Sequence, residues 1–365
     1  MKTPGRSAGI DSLRVLLTAL VILHHTAIVY GGSGGWYWRQ EADSSNLLLV
    51  FFNSVNQSYF MGFFFLLAGY FTPLSYDRKG AGNYFRDRFL RLGLPLLAYF
   101  FLLHPFTVAI VRTASGHPLW PGFWQMILEH EFEPGPLWFA EALLLFAVGY
   151  WLWRKQTPAS ASASWSELPA YPAILMGAVG IGLVAFLVRL AVPVGRNILW
   201  LQLGYFPAYF ALFAVGCAAA RGRLLEGLTW TRVRIPVLGS LVLLVAFPVF
   251  CLKRWGSGPF SGGWGSNAFV YALWDPLVCW GIILGLLWLS QPLSGRLAAI
   301  GSWLGNQAFG AYILHPPVLV FLSIALRGAA IPPFQKFLYV GLAACVGSFA
   351  AASVLRLVPA VRKIV

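Results

Sequence analysis

Near the start of the chain lies an apolar run that carries three basic side chains: Asp11-Ser12-Leu13-Arg14-Val15-Leu16-Leu17-Thr18-Ala19-Leu20-Val21-Ile22-Leu23-His24-His25. With residues 26–31 it is long enough to cross a bilayer as a helix. Ionisable groups inside a membrane are costly and usually face the protein interior, where they serve a function. At about 100° and 1.5 Å per residue, Arg14 and His25 lie within roughly 20° of each other and about 16 Å apart, whereas His24 points about 80° away. The run therefore predicts a first membrane helix with Arg14 and His25 on one face.

The composition of the chain is that of an integral membrane protein. Of its 365 residues, 58% are hydrophobic and only 10% are charged, and the mean hydropathy is +0.70. The net charge of +14 comes from basic residues gathered in short loops between apolar spans, which indicates a membrane topology signal and no nucleic-acid partner. The cysteines lie in or beside apolar spans without Cys-x-x-Cys spacing, and we interpret them as small core residues: Cys217, Cys251, Cys279 and Cys345.

Hydropathy predicts an all-α fold of about ten transmembrane helices. The predicted spans are 11–31, 47–73, 93–112, 136–153, 172–192, 199–220, 235–252, 268–290, 304–326 and 336–358. Basic residues cluster between alternate spans, and the positive-inside rule then places both termini in the cytoplasm. The Ala/Ser/Pro-rich segment at about 155–171 is predicted to be a flexible cytoplasmic linker. No internal repeat is evident, so residues 1–365 are expected to form a single domain.

Two acidic residues lie within predicted spans. Glu141 needs a polar partner at that depth, and Arg189 or His25 could supply it. Asp275, in Trp274-Asp275-Pro276, lies near the outer end of its span. Both acids are candidates for orienting a histidine.

Two further histidines lie within predicted spans. Tyr312 and His315 are one helical turn apart, and His315 is expected at about the depth of His25. A polar contact that only joins helices is the commoner role for such a residue. His104 precedes Pro105, and we interpret it as satisfying backbone groups that the proline leaves without partners.

The densest basic cluster, residues 84–95, is predicted to face the cytoplasm. It contains Arg86, Arg88 and Arg91, and the last two are one turn apart. Such arginines bind phosphate groups through paired N–H donors. Contact with anionic lipid headgroups explains the cluster equally well.

Three loops carry distinctive composition. The triplet Trp36-Tyr37-Trp38 is expected at the membrane interface. The aromatic stretch 120–132 is expected to lie along the membrane surface. The Gly-rich loop 256–266 lacks the Lys and Ser/Thr of a P-loop, which leaves a mobile lid or a simple connector.

Several chemistries are excluded because their motifs are absent. The chain has no His-Glu-x-x-His, no P-loop, no Gly-x-Ser-x-Gly and no dinucleotide-binding fingerprint. Neither His117 nor His130 has a metal-ligand partner at a recognisable spacing, and no metal is expected. A histidine within a membrane span, basic residues at its cytoplasmic side and acids near the outer face remain to be explained.

These remaining residues resemble the membrane acyltransferase 3 family, particularly the branch of glucan succinyltransferases and O-acetyltransferases of cell-envelope sugars. Arg14 and His25 match its R-x10-H signature. Residues 63–71 resemble its F-F-x-x-S-G-[FY] segment, with Ala68 where the family usually has Ser, and residues 88–95 resemble its R-x-x-R-L-x-x-P. Later in the chain, three further positions resemble conserved segments of the family: Leu137-Trp138-Phe139, Asp275 and Tyr312 to Pro316. Together these segments are specific for the family but not for the substrate.

The resemblance implies a multi-pass enzyme of the bacterial cytoplasmic membrane. It would move an acyl group, of the acetyl or succinyl class, from cytoplasmic acyl-coenzyme A to a hydroxyl of an extracytoplasmic glycan. His25 and Arg14 would form the catalytic pair, with His25 as a general base or as the carrier of an acyl-His intermediate. The donor would contact Arg86, Arg88 and Arg91. The acceptor or the histidine would be supported by Glu141, Trp138, Asp275, Tyr312 and His315.

The alternative from another functional class is a transporter. In it Arg14, His25, Glu141 and Asp275 would line a pathway for a small polar or anionic solute or for protons. A transporter would move its substrate without consuming a thioester. The sequence leaves open the acyl group, the acceptor and the oligomeric state, a homo-oligomer included.

Overall fold

The computed structural model describes residues 8–41, 45–157, 164–254, 256–291 and 295–364. Within these ranges the chain forms helices and no strand, apart from an isolated bridge between Ile198 and Leu201. The α-helices are α1 (Ala8–Val29), α2 (Leu47–Arg88), α3 (Leu94–Ala98), α4 (His104–Thr113), α5 (Leu119–Leu128), α6 (Trp138–Gln156), α7 (Tyr171–Ala191), α8 (Phe206–Gly222), α9 (Trp230–Lys253), α10 (Ser266–Ser290), α11 (Gly295–Gly305), α12 (Ala308–Ala325), α13 (Pro333–Leu355) and α14 (Pro359–Arg362). The predicted all-α class is confirmed.

Helix lengths agree with the predicted membrane spans. Among the described residues, nine segments are long and apolar enough to cross a bilayer. One of them, Leu47–Thr113, is 67 residues long and contains two predicted spans. As one straight helix it would measure about 100 Å, more than three times the hydrocarbon core of a bilayer. Gly80, with φ of 71° and ψ of 167°, interrupts the helix between the two spans.

Two π-helical turns, Phe89–Gly93 and Tyr99–Leu103, follow α2. Each contains the carbonyl four residues before a proline, Pro95 or Pro105. Because a proline ring clashes with that carbonyl and has no N–H to donate to it, the helix widens locally to accommodate the ring. Such turns often occur at functional sites.

Two other sequence predictions are only partly described by the structure. Helix α6 ends at Gln156 and α7 begins at Tyr171, so the predicted linker occupies the right place, but its residues 158–163 lie outside the described residues. The aromatic stretch predicted for the membrane surface contains α5, on which Trp120 and Trp124 are exposed. The single-domain assignment, the side of the termini and the position of α5 in a bilayer stay predictions.

By their internal contacts, the residues form two compact units. The first unit comprises Met1–Leu13, Val55–Tyr84 and Val148–Ala298. The second unit comprises Arg14–Ser54, Phe85–Ala147 and Ala299–Val365. His25 belongs to the second unit.

Glycines bring helices of the first unit into close contact. A Cβ on Gly69 of α2 would lie 2.1 Å from the carbonyl oxygen of Phe213 in α8, and one on Gly216 of α8 would lie 2.1 Å from that of Leu66. Small residues let helix backbones approach in this way, and packing of this kind drives helix association in membranes.

The second unit has a core that fixes α1 beside α12 and α13. Ile22 and Val29 of α1 are buried with Leu319 of α12 and Val340 of α13. A Cβ on Gly341 would lie 2.8 Å from the side chain of Leu23, so α13 also packs closely on α1. This core includes residues of α1 on both sides of His25 in sequence.

Replacing Gly216 by Ala should destabilise the protein, because the new Cβ meets backbone atoms of α2 that cannot move as a side chain can. We expect a loss of about 1–3 kcal/mol in the free energy of unfolding. Thermal unfolding of the purified protein in detergent measures it. The matched control is Gly180→Ala in α7, where a Cβ meets nothing within 4 Å and where stability should stay equal or rise. Equal unfolding temperatures for the two variants would contradict the close contact.

Candidate active site

His25 and His315 are in direct contact. Nδ1 of His25 on α1 lies 2.9 Å from Nε2 of His315 on α12, and the two rings are nearly parallel, with centroids 5.1 Å apart. His315 is fully buried and His25 is partly buried. The sequence predicted a similar depth for these residues, and the structure shows that they are neighbours.

The hydrogen bonds of His315 determine where the protons lie. Its Nδ1 is 2.6 Å from the backbone carbonyl oxygen of Tyr312. Because a carbonyl only accepts, Nδ1 of His315 carries the proton, and Nε2 of the neutral ring is an acceptor. Nδ1 of His25 must then donate to His315. Nε2 of a neutral His25 is left with a lone pair, which is the form that can accept a proton.

Trp36 covers one face of the His25 ring. Their centroids are 3.9 Å apart and the planes are inclined by 15°. Gly31 and Gly34 have φ of 105° and 132°, and this turn brings the loop after α1 back over the helix end. The sequence predicted only an interfacial position for Trp36, and this contact with His25 was not predicted. A feature of the sequence that could have indicated this contact is the aromatic triplet Trp36-Tyr37-Trp38, which follows α1 after a short Gly-rich turn.

Tyr37, the next residue of the loop, belongs to a second polar cluster with Tyr99 and His104. Its hydroxyl lies 2.9 Å from that of Tyr99 and 3.1 Å from Nδ1 of His104. Burial raises the pKa of Tyr37 above its ordinary value, so the phenol keeps its hydrogen at neutral pH. The side-chain partner of His104 is a tyrosine, whereas the sequence predicted that His104 would satisfy helix backbone groups.

Tyr312 joins α12 to the start of α6. Its hydroxyl donates to the carbonyl oxygen of Pro136 in the short 3-10 turn Gly135–Leu137. Gly135 has φ of 47°, and a Cβ there would lie 2.3 Å from the Tyr37 hydroxyl. Trp138 follows this turn as the first residue of α6 and is partly buried.

A family model described as an acyltransferase domain matches residues 7–357, nearly the whole chain. The chain belongs to the acyltransferase 3 family. It is a multi-pass membrane acyltransferase, as the resemblance implied. Searches of the curated proteins and of the solved structures found no match. The glucan succinyltransferase branch stays a prediction.

Arg14 of the acyltransferase lies on the same uninterrupted helix as His25, eleven residues earlier, and is partly buried. The helix is continuous between them, so the predicted common face and separation of about 16 Å apply. Arg86 and Arg91 are exposed and Arg88 is partly buried. They lie in the second unit, like His25, and their binding of a donor stays a prediction.

The two acids of the acyltransferase have different surroundings. Arg189, one of the two partners that the sequence offered for Glu141, pairs instead with Asp275 at 2.6 Å. Glu141 is partly buried and forms no ion pair within the described part of the chain. Nδ1 of His25, which an orienting acid would occupy, is bonded to His315. The sequence could not show which helices are neighbours.

Tyr37→Phe should lower the stability of the acyltransferase. It removes the hydroxyl that the buried Tyr99 and His104 share, and a buried polar group without a partner costs about 1–3 kcal/mol. Thermal unfolding in detergent measures the effect. Tyr339→Phe is the control, since Tyr339 is 60% exposed and should tolerate the change. If both variants unfold like the wild type, the cluster contributes nothing to stability.

Proposed function

We propose that this acyltransferase moves an acyl group, of the acetyl or succinyl class, from cytoplasmic acyl-coenzyme A to a hydroxyl of an extracytoplasmic glycan or related acceptor. His25 is the general base. The observation that carries the proposal is the lone pair that the Tyr312, His315 and His25 hydrogen bonds leave on Nε2 of His25. The multi-pass fold suits a donor and an acceptor on opposite sides of a bacterial cytoplasmic membrane.

The proposed reaction needs one proton transfer to His25 and one from it. Nε2 of His25 takes the proton of the acceptor hydroxyl while the hydroxyl oxygen attacks the thioester carbonyl. The carbon–sulfur bond then breaks, and the coenzyme A thiolate takes the proton back from His25. The products are an ester and a free thiol. General-base catalysis of this kind contributes about 10²–10⁴-fold in rate.

The surroundings of His25 support a transient positive charge on its ring. Trp36 lies flat against the imidazole, and an aromatic face attracts a cation. His315 accepts from Nδ1, and a hydrogen bond from a charged donor is stronger than one from a neutral donor. His315 therefore acts as a positioning residue: it orients the base and supports its protonated form.

An acyl-His intermediate is the competing route. Nε2 of His25 would attack the thioester, the thiolate would leave, and the acceptor hydroxyl would then take the acyl group from the imidazole. Both routes use the same lone pair. Both therefore depend on His25 and on the hydrogen bond that its Nδ1 makes.

Arg86, Arg88 and Arg91 supply positive charge for the phosphate groups of the donor. Arg14 lies on the face of α1 that carries His25 and would add to this positive charge. The pantetheine arm of the donor would extend along that face from Arg14 towards His25. Membership in an acyltransferase family favours this enzyme over the transporter considered from the sequence.

Thioester turnover tests the proposal. Purified protein is given acetyl- or succinyl-coenzyme A with a panel of glycan acceptors, and release of free thiol is followed. His25→Ala should lower this release by about 10²-fold or more. His24→Ala is the matched control and should keep most activity, because its ring lies edge-on to His25 and at a different angle on α1. Full activity in His25→Ala would refute the proposal.

His315 variants test the orientation of the base. His315→Ala removes the acceptor of the His25 Nδ1 proton, so turnover should fall about ten-fold or more, whereas the side-chain oxygen of His315→Gln can still accept it and should restore part of the loss. Turnover measured from pH 5 to 9 should show an altered profile in the alanine variant. A role in helix packing alone would lower stability and leave the profile unchanged.

A further inference from the structure

Residues 33–39 form a flap at the end of α1 that is held in place by its side chains. On one side of the flap, Gly32 donates its backbone N–H to the carbonyl oxygen of Ala27 at 2.7 Å. On the other side, Gln40 donates its backbone N–H to that of Val29 at 3.0 Å. Between these anchors, residues 33–39 donate no backbone hydrogen bond within the described part of the chain. Compact loops whose ends lie close together in this way are frequently functional.

Two side chains of the flap cover the histidines of the second unit. The Trp36 indole lies nearly parallel to both imidazole rings of the site, with centroid distances of 3.9 Å to His25 and 5.6 Å to His315. The Tyr37 hydroxyl lies 3.1 Å from Nδ1 of His104. The flap thus covers the hydrogen bond between His25 and His315 together with the neighbouring polar cluster.

The closed flap buries polar atoms that it does not satisfy. Trp36 and Trp38 pack on the core of the second unit, and their indole nitrogens are buried with no hydrogen-bond partner among the described residues. A buried donor without a partner is costly, whereas the same donor can bond to water once the flap opens. Stacking on His25 and the hydrogen bonds of Tyr37 oppose this cost. Because closing has both a gain and a cost, we expect the open and closed forms to be close in free energy.

A glycine at the start of the flap provides a hinge. Gly34 has φ of 132°, a backbone conformation that residues with a side chain rarely adopt. A Cβ on Gly34 would also lie 2.7 Å from Cδ1 of Ile28, whereas a Cβ on Gly35 would meet nothing within 4 Å. The closed conformation therefore requires glycine at position 34 but not at position 35.

Water beside His25 would compete with the acceptor in the proposed reaction. A water molecule can give a proton to Nε2 of His25 while its oxygen attacks the thioester carbonyl. The carbon–sulfur bond would then break, and the thiolate would take the proton from His25. The products would be a free acid and a free thiol, and the acyl group would be lost. Enzymes close loops over their sites to prevent such side reactions.

We propose that the flap opens to admit the acceptor and closes Trp36 over the pair of His25 and His315 to exclude water. Trp36 thereby determines whether the acyl group reaches the acceptor or is hydrolysed. This purpose rests on the proposed acyl transfer at His25. The movement of the flap does not, and it can be measured without any donor.

Carbethoxylation of histidine measures how well the flap covers His25. Diethyl pyrocarbonate reacts with the lone pair of a neutral imidazole, and peptide mass spectrometry gives the rate at each histidine. The exposed His117 is the internal reference. Relative to this reference, His25 should react about ten-fold faster or more in Trp36→Ala and in Gly34→Ala than in the wild type, because the closed form no longer dominates. Gly35→Ala is the matched control and should react like the wild type.

The distance between two spin labels tests the opening of the flap. Gly35→Cys and Gly328→Cys place one label on the flap and one on the loop after α12, at positions where a Cβ meets nothing within 4 Å. The native cysteines are replaced by alanine. With Trp36 present, the labels should show two distances, and Trp36→Ala should increase the population of the longer one. A single distance that Trp36→Ala leaves unchanged would contradict the opening.

Thiol release without an acceptor tests the exclusion of water. With acyl-coenzyme A alone, Trp36→Ala should release free thiol several-fold faster than the wild type. With an acceptor present, the ratio of ester to free acid should fall. This ratio is the decisive readout, since loss of the stacking on His25 alone would slow both reactions equally. Trp36→Phe keeps a flat ring over His25, so it should restore part of the ratio, and it replaces the alanine variant if that variant does not fold.

Two outcomes would overturn the proposal. One is equal labelling of His25 in the wild type and in both the Trp36 and the Gly34 variants, and the other is an unchanged ratio of ester to free acid. Neither outcome affects the thioester assay of His25→Ala. Labelling and distance measurements in turn need no donor, so failure of the flap and failure of the proposed reaction are distinguishable.

Discussion

A polar group inside a membrane must find its partners within the protein, and this constraint determines the arrangement around His25. In the hydrocarbon core of a bilayer no water is available to complete the hydrogen bonding of a polar group. The backbone carbonyl of Tyr312 therefore fixes the proton of His315, and His315 fixes the proton of His25. The orientation of the base follows from a backbone atom of α12, and it persists only while the core of the second unit keeps α1 and α12 together.

The fold could be predicted from the sequence to a large extent, because the length of an apolar run depends on the local sequence alone. The predicted spans agree with the helices, including the two that the structure joins in Leu47–Thr113. The alignment of Arg14 with His25 could also be predicted, since both lie on one continuous helix whose geometry is regular. Family membership followed from short motifs in the correct order.

The partners of the polar residues could not be predicted, because they lie on helices that are distant in sequence. His25 and His315 are 290 positions apart, and nothing in the pattern shows that their helices are neighbours. The same limit applies to Arg189, which the sequence offered as one of two partners for Glu141 and which pairs with Asp275. Trp36 was missed for another reason: interfacial tryptophan is common, and only the turn at Gly31 and Gly34 brings this one back over His25.

The parts of the site differ in how freely they can change during evolution. His25, His315 and Tyr312 are on packed membrane helices, where a substitution disturbs the core. Trp36 is instead on the loop between α1 and α2, and loops vary more among homologues than the helices they connect. Relatives of this enzyme could thus change the surface next to the base by exchanging the residue that covers it, while the helices that orient the base stay the same.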